Sequence, residues 1–207
     1  MRLRLHALVG MAALIGAFLV QAPATAHSTS SSAGTYRGEG DSLVRIPVTT
    51  KPSLVKITHQ GEGHFAVWTL KPSGDKQDLV ANTVGDHKGT SAFNTRSGGK
   101  VRALSVTADG VWTLQVLPIT SARSWAVNAK GAGADVIRLA KPSTGLRRLT
   151  IRHSGEGHFA VWALSNDGRL KHLLVNKVGD YRGSVALPPG SRYATITADG
   201  AWSITRK

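Results

Sequence analysis

The chain states one pattern twice, and that duplication constrains its fold more than any other feature. His59-Gln-Gly-Glu-Gly-His-Phe-Ala-Val-Trp68 returns 94 positions on as His153-Ser-Gly-Glu-Gly-His-Phe-Ala-Val-Trp162, with only Gln60/Ser154 different. Asn82, Val84-Gly85-Asp86 and Gly89 recur as Asn176, Val178-Gly179-Asp180 and Gly183. Thr107-Ala-Asp-Gly110 and Trp112 recur as Thr197-Ala-Asp-Gly200 and Trp202, now at an offset of 90. The offset falls between Gly89 and Val101, which marks a loop or strand end that tolerates deletion. A repeat of this period means two copies of one small domain. A site that belongs to the repeat should therefore exist twice.

The N-terminus reads as an export signal. Arg2 and Arg4 form a basic start, Ala7 to Val20 is almost unbroken apolar sequence, and Ala24-Thr25-Ala26 supplies the small-x-small pattern of a cleavage site. Residues 1–26 are expected to be a secretory signal peptide, cut before His27. The apolar run is shorter than the roughly 20 residues of a spanning helix, so no transmembrane segment is expected in the mature chain. Residues 27–35, rich in Ser, read as a flexible leader. There is no cysteine, so each copy of about 80 residues must be held by an apolar core rather than by disulfides. The mature chain keeps 24 of the 26 Lys+Arg against 12 Asp+Glu, a formal +12. Such a balance favours anionic partners: wall polymers, phospholipid surfaces or nucleic acid. The longest basic run is only Arg147-Arg148, with Arg152 nearby. No basic helix or aromatic-interleaved motif accompanies it, so nucleic acid is not the expected partner.

Short apolar runs alternate with polar residues and are punctuated by Gly, Pro and Asn-Asp. In the two copies, strands are expected at Leu43–Ile46 and Val136–Leu139, Leu54–Thr58 and Leu149–Arg152, Phe65–Leu70 and Phe159–Leu164, and Leu79–Ala81 and Leu173–Val175. One more strand follows Gly85 and Gly179. The last two are expected at Val101–Thr107 and Val111–Val116, matched by Tyr193–Thr197 and Ala201–Thr205. About seven strands per copy, with a turn roughly every ten residues, predict an all-β chain of two tandem antiparallel, jelly-roll-like β-sandwiches. The expected limits are 36–118 and 125–207, joined by a linker at 119–124.

The succession Gly-x-Gly, His-x-Gly-x-x-Phe-x-Val, Asn-x-x-Gly-x-x-x-Gly and Ala-Asp-Gly-x-Trp resembles a repeat of uncharacterised secreted proteins of actinobacteria. More loosely, it is similar to the bacterial pre-peptidase C-terminal domain, a β-sandwich accessory module of exported enzymes. The resemblance covers most of the mature chain and implies fold and compartment. It brings no catalytic residues and implies at most a non-catalytic binding or spacer role.

Several residues could carry chemistry. His59 and His64 (His153 and His158) flank Glu62 (Glu156), and zinc would need three or four such ligands to converge. His87 could add one, but Tyr181 takes its place in the second copy, so no metal site is expected; a strand-end histidine bonding a loop fits better. Asp86/Asp180 and Asp109/Asp199 could pair for glycoside hydrolysis or hold calcium. Asp109-Gly110 and Asp199-Gly200 read more simply as turns, in which Asp caps and Gly supplies positive φ, and Gly85 and Gly179 likewise. No Gly-x-Ser-x-Gly occurs, and Ser53-Leu-Val-Lys56 has no counterpart. No catalytic residue and no cofactor is expected.

Along the third strand Phe65, Val67 and Thr69 point one way, and His64, Ala66, Trp68 and Leu70 the other. With Phe65 and Val67 in the core, Trp68 and His64 (Trp162 and His158) would lie outside as a platform for sugar stacking. In the other reading Trp68 packs against Trp112 or the neighbouring domain. The expected function is non-catalytic binding to a polymer of the cell envelope or extracellular space, a glycan or polyanion. The alternatives are a structural or protein-interaction module without a small ligand and, third, a metal- or carboxylate-dependent hydrolase.

Overall fold

The computed structural model describes residues 34–96 and 99–207. The signal peptide and nearly all of the Ser-rich leader lie outside the described residues. The N-terminal half holds β1 (Thr35–Glu39), β2 (Ser42–Thr49), β3 (Ser53–Gln60), β4 (His64–Leu70), β5 (Lys76–Val84), β6 (His87–Phe93), β7 (Val101–Thr107) and β8 (Val111–Pro118). A 3-10 turn (Ile119–Ser121) and the two-residue strand β9 (Arg123–Ser124) follow. The C-terminal half holds β10 (Asn128–Ala132), β11 (Asp135–Arg138), β12 (Arg147–Ser154), β13 (His158–Ser165), β14 (Leu170–Val178), β15 (Tyr181–Leu187), β16 (Ser191–Thr197) and β17 (Ala201–Arg206). Among the described residues there is no α-helix, and no helix long and apolar enough to cross a membrane.

Each half is a pair of antiparallel sheets. In the first half the orders are β1-β8-β3-β6 and β2-β7-β4-β5. In the second they are β10-β17-β12-β15 and β14-β13-β16-β11, with β9 added in parallel at the β11 edge. Eight strands wound in this order form a jelly roll. Strand alternation shows why the sequence closes this way. In β3 Val55, Ile57 and His59 are buried while Lys56, Thr58 and Gln60 are exposed. In β13 Phe159, Val161 and Ala163 enter the core. The two interiors are near copies: Ile57, Phe65, Val67, Trp112 and Leu114 in one, Ile151, Phe159, Val161, Trp202 and Ile204 in the other.

Three strands were not legible in the sequence: β1, β10 and the two-residue β9, which falls within the expected linker at 119–124. β1 (Thr-Tyr-Arg-Gly-Glu) and β10 (Asn-Ala-Lys-Gly-Ala) have no alternating apolar residues, because they are edge strands whose glycines sit beneath an indole. A Cβ on Gly38 would overlap the Trp112 ring, and one on Gly131 the Trp202 ring. Trp112 and Trp202 also donate from Nε1 to the Gly40 and Gly133 carbonyls, both at 2.9 Å. The first sandwich therefore begins at Thr35, and each half has eight strands rather than seven.

The halves dock through a small apolar cluster. The outer faces of β11, β13 and β16 present Val136, Leu164 and Tyr193 to Leu54 on the outer face of β3 and to Ile119 and Ala122 of the connection. Polar bonds frame this contact. Arg169 donates from Nη1 to the carbonyls of Asn94 and Arg96 and from Nη2 to that of Thr50. Thr90 N–H bonds Ala134 O and Leu170 N–H bonds Thr95 O. The matching faces of the two halves do not do the same work. Leu43, the counterpart of Val136, is 56% exposed where Val136 is 1% exposed, and Leu54 is replaced in the second half by the exposed Arg148.

Leu54→Ala should cost about 2–5 kcal/mol, as for other buried leucines. Leu54→Arg, which installs the residue of the other half, should undock the two sandwiches. Calorimetry should then resolve two unfolding transitions where the parent shows a single coupled one.

Candidate functional site

The duplicated residues gather at one end of each sandwich. His59 is buried at the end of β3 and stacks on Phe65 with ring centroids 4.2 Å apart and planes 8° from parallel. Its Nδ1 lies 2.9 Å from the Gly85 carbonyl, which can only accept, so Nδ1 carries the proton. Its Nε2 faces Asp109 Oδ1 at 3.3 Å without the directionality of a hydrogen bond. Asp109 Oδ2 accepts the N–H groups of Glu62 (2.9 Å) and Gly63 (2.5 Å), and Asp86 Oδ1 accepts that of Gly61 (3.1 Å). The second half repeats every contact. His153 reaches Gly179 O at 3.0 Å and Asp199 Oδ1 at 3.1 Å, and stacks on Phe159 at 4.3 Å. Asp199 Oδ2 takes Glu156 and Gly157, and Asp180 takes Gly155. The β3–β4, β5–β6 and β7–β8 loops are thus tied through one imidazole and two carboxylates.

This geometry corrects the turn reading in two respects. Asp109 and Asp199 do not cap their own turns; their carboxylates bind a neighbouring loop. Gly110 and Gly200 are not in positive φ. They are required because a side chain there would collide with the carbonyl oxygens of Gln60 and Ser154. Gly85 and Gly179 do have positive φ, +81° in each case. The Asp109 carboxyl is held below its ordinary pKa chiefly by the Gly63 N–H, with Glu62 N–H and the nearby His59 adding to the effect against partial desolvation. Asp199 is lowered in the same direction, first by Gly157 N–H. Burial, and then the proximity of His59, lower the pKa of His87.

His64 and His158 leave their strands on the outer face and bond Asn82 Oδ1 (2.8 Å) and Asn176 Oδ1 (2.7 Å). His59 points to the interior and His64 to the outside, so the two do not share a ligand. Among the described residues no three His, Cys, Asp or Glu side chains are grouped to hold a metal ion. Trp68 and Trp162 are half-buried on this same outer face, while Phe65 and Val67 are core. Trp68 stands in a cross-strand row, Leu43–Ser105–Trp68–Leu79, with Lys76 Nζ 5.0 Å from the ring centroid. Its partner is not Trp112, which lies inside the sandwich. In the second half the row is Val136–Thr195–Trp162–Leu173, and its Val136 end is covered by the first half.

A further duplicated feature lies on the opposite outer faces. In the second half Lys130, Ser203, Arg152 and Arg182 are directly paired across β10, β17, β12 and β15. Directly paired residues share a face, so their side chains stand together in solvent. They line an open cavity of about 1060 Å³ with Tyr181 and Asp180. The equivalent row in the first half is Arg37, Thr113, Thr58 and Lys88, beside an open cavity of about 740 Å³. Sequence reasoning noted Arg152 only as a neighbour of Arg147-Arg148 and singled out neither Lys130 nor Arg182. The available signal was that Lys130 and Arg182 match basic residues, Arg37 and Lys88, at outward strand positions of the first copy, whereas Arg152 matches Thr58.

No family model matches the chain, and no curated protein does. Among solved structures it is similar to a conserved protein of unknown function, PA5104, from Pseudomonas aeruginosa PAO1. That match has 12% identity, covers 84% of this chain and 82% of that one, and has a TM-score of 0.22. A mutant of Bacillus subtilis oxalate decarboxylase OxdC matches at 9% identity, 89% and 78% coverage and a TM-score of 0.19. Procruciferin, an 11S globulin from Brassica napus, matches at 11% identity, 88% and 84% coverage and a TM-score of 0.18. At these TM-scores the likenesses carry no argument about this chain, and the jelly-roll assignment rests on its own strand order.

Carboxyls whose native pKa is depressed add stability that is present above their unfolded value, near 3.8, and is lost as pH falls through the native value. Asp109→Ala and Asp199→Ala should therefore each lower the melting temperature at neutral pH, with the deficit shrinking as the medium is acidified through the carboxylate range. Gly110→Ala should be destabilising at every pH, because its penalty is steric. Melting curves from acid to neutral pH separate the two behaviours.

Proposed function

We propose that the protein is a non-catalytic binding module for an extended anionic polymer of the cell envelope or extracellular space. The observation that carries this reading is the duplicated open cavity on the outer four-stranded face. It is lined by Lys130, Arg152 and Arg182 in one half and by Arg37 and Lys88 in the other. A formal +12 on the mature chain gives the long-range attraction such a partner would feel. Flat, strand-built faces suit a chain-like ligand that crosses several strands. The groups best suited to acid–base chemistry, His59, Asp109, His153 and Asp199, hold loops together, which supports binding over turnover.

A second reading is sugar stacking on Trp68 and Trp162, favoured by the open Leu43–Ser105–Trp68–Leu79 row. Trp68→Ala should then leave the fold intact at a cost well under the ~3–5 kcal/mol of a fully buried aromatic, and reduce retention on a neutral polysaccharide. A loss of stability as large as that figure would remove Trp68 as a ligand platform.

Retention of the mature protein on an immobilised anionic polymer tests the main reading. Binding should weaken steeply as salt rises, because the Debye length is about 8 Å at physiological ionic strength and shrinks to about 3 Å at 1 M. Binding that holds constant across that range would show the charge to be incidental.

A further inference from the structure

We propose that the outer face of β10-β17-β12-β15 is the principal binding site, and that it takes tetrahedral oxyanions, phosphate or sulfate, carried on a hydroxyl-bearing chain. This rests on the anionic-polymer reading and assigns it a site and a ligand chemistry.

Arg152 and Arg182 are directly opposite each other on neighbouring strands, with Lys130 at the far end of the same row. Strands lie about 4.8 Å apart, so the row spans about 14 Å. Like charges placed directly opposite destabilise a sheet, and the row contains no carboxylate to offset them. Asp180 lines the cavity from the adjoining loop, outside the row, where its Oδ1 accepts the Gly155 N–H. An anion between the guanidinium groups relieves that repulsion. Two guanidinium forks arriving from neighbouring strands suit a group with several free oxygens. A planar carboxylate has two oxygens and is satisfied by a single fork.

The next row along the strands is Asn128, Thr205, Thr150 and Ser184, all short polar side chains. Beyond it stands the exposed Arg148, paired with Ala186. A band of hydroxyl and amide groups between the cationic row and the single Arg148 matches a polymer whose charged esters are linked by polyol or sugar units. The one tryptophan lining this cavity, Trp202, is 3% exposed. The other aromatic of the lining, Tyr181, packs its ring against Phe159, so the face offers no row of open rings of the kind on which single-stranded nucleic acid stacks. The first half is the weaker counterpart, because Thr58 replaces Arg152 and Lys88 replaces Arg182, so the paired forks are gone.

The test uses the mature chain, with titration calorimetry and thermal shift against heparin, polyphosphate, polygalacturonate and duplex DNA. Heparin or polyphosphate should bind and raise the melting temperature, and polygalacturonate should bind more weakly. Arg152→Thr, which installs the residue of the first half, should lower affinity roughly tenfold. Its melting temperature without polymer should not fall, since one of two opposed charges is gone. Arg182→Lys, which keeps the charge, should give a smaller loss. Unchanged affinity in both variants, with the parent still bound, would overturn this site while leaving the anionic-polymer reading intact. Absence of binding to any polyanion would overturn both. Equal binding of polygalacturonate would overturn the preference for tetrahedral groups, and tighter binding of DNA would overturn the hydroxylated chain.

Discussion

A buried imidazole holds each sandwich closed at its loop end. His59 and His153 bring a flat ring into the core, stack it on a phenylalanine, and use Nδ1–H to satisfy a loop carbonyl. A buried polar group left unpaired costs stability, so the ring is retained only because its contacts are fixed. The loop carbonyl is presented by a glycine in the left-handed region, and the opposing carboxylate is anchored by two backbone N–H groups. Removing any member loosens the others. That interdependence explains why the longest identical segments of the two copies run through these loops. It also leaves the broad outer faces of the sheets free to differ between the halves, as Thr58 and Arg152 do.

Much of the fold was legible because burial imposes a period of two on a strand. Val101–Thr107 was bounded correctly from sequence, and alternation set Phe65 and Val67 on one face of the third strand and Trp68 on the other while leaving open which was core; the structure puts Phe65 and Val67 inside. The edge strands β1 and β10 escaped because they contribute glycine and polar residues, not an apolar stripe. The loop chemistry was half legible. Repetition pointed to His59, Asp109 and Gly110, but only the structure shows that Asp109 serves another loop and that Gly110 is there for close backbone approach. The cationic row was illegible for a different reason. Lys130, Arg152 and Arg182 lie far apart in sequence and meet only through strand pairing, so a search for runs of charge passes over them.

The two jelly rolls divide their surfaces by role. Loop ends match between the copies almost residue for residue, while the interiors keep their apolar character with changes of size such as Phe93 to Leu187 and Leu104 to Ala194. The outer faces carry the differences: an open apolar row around Trp68, its half-covered equivalent around Trp162, and cationic faces of unequal strength. A scaffold held by its core and loop ties can vary such faces at small cost, since exposed strand positions contribute little to packing.

The docking of the halves has a geometric consequence for assembly. One half offers β3 and the connecting segment, the other offers the outer faces of β11, β13 and β16, so the contact joins unlike surfaces. Identical units joined by contacts of this head-to-tail kind form a ring if the rotation closes and an open filament if it does not. The two copies are not identical at this contact. Where a third unit would look for Leu54 it meets the exposed Arg148, beside Arg147. A leucine-to-arginine difference between the copies thus removes the apolar anchor that a further contact of the same kind would need.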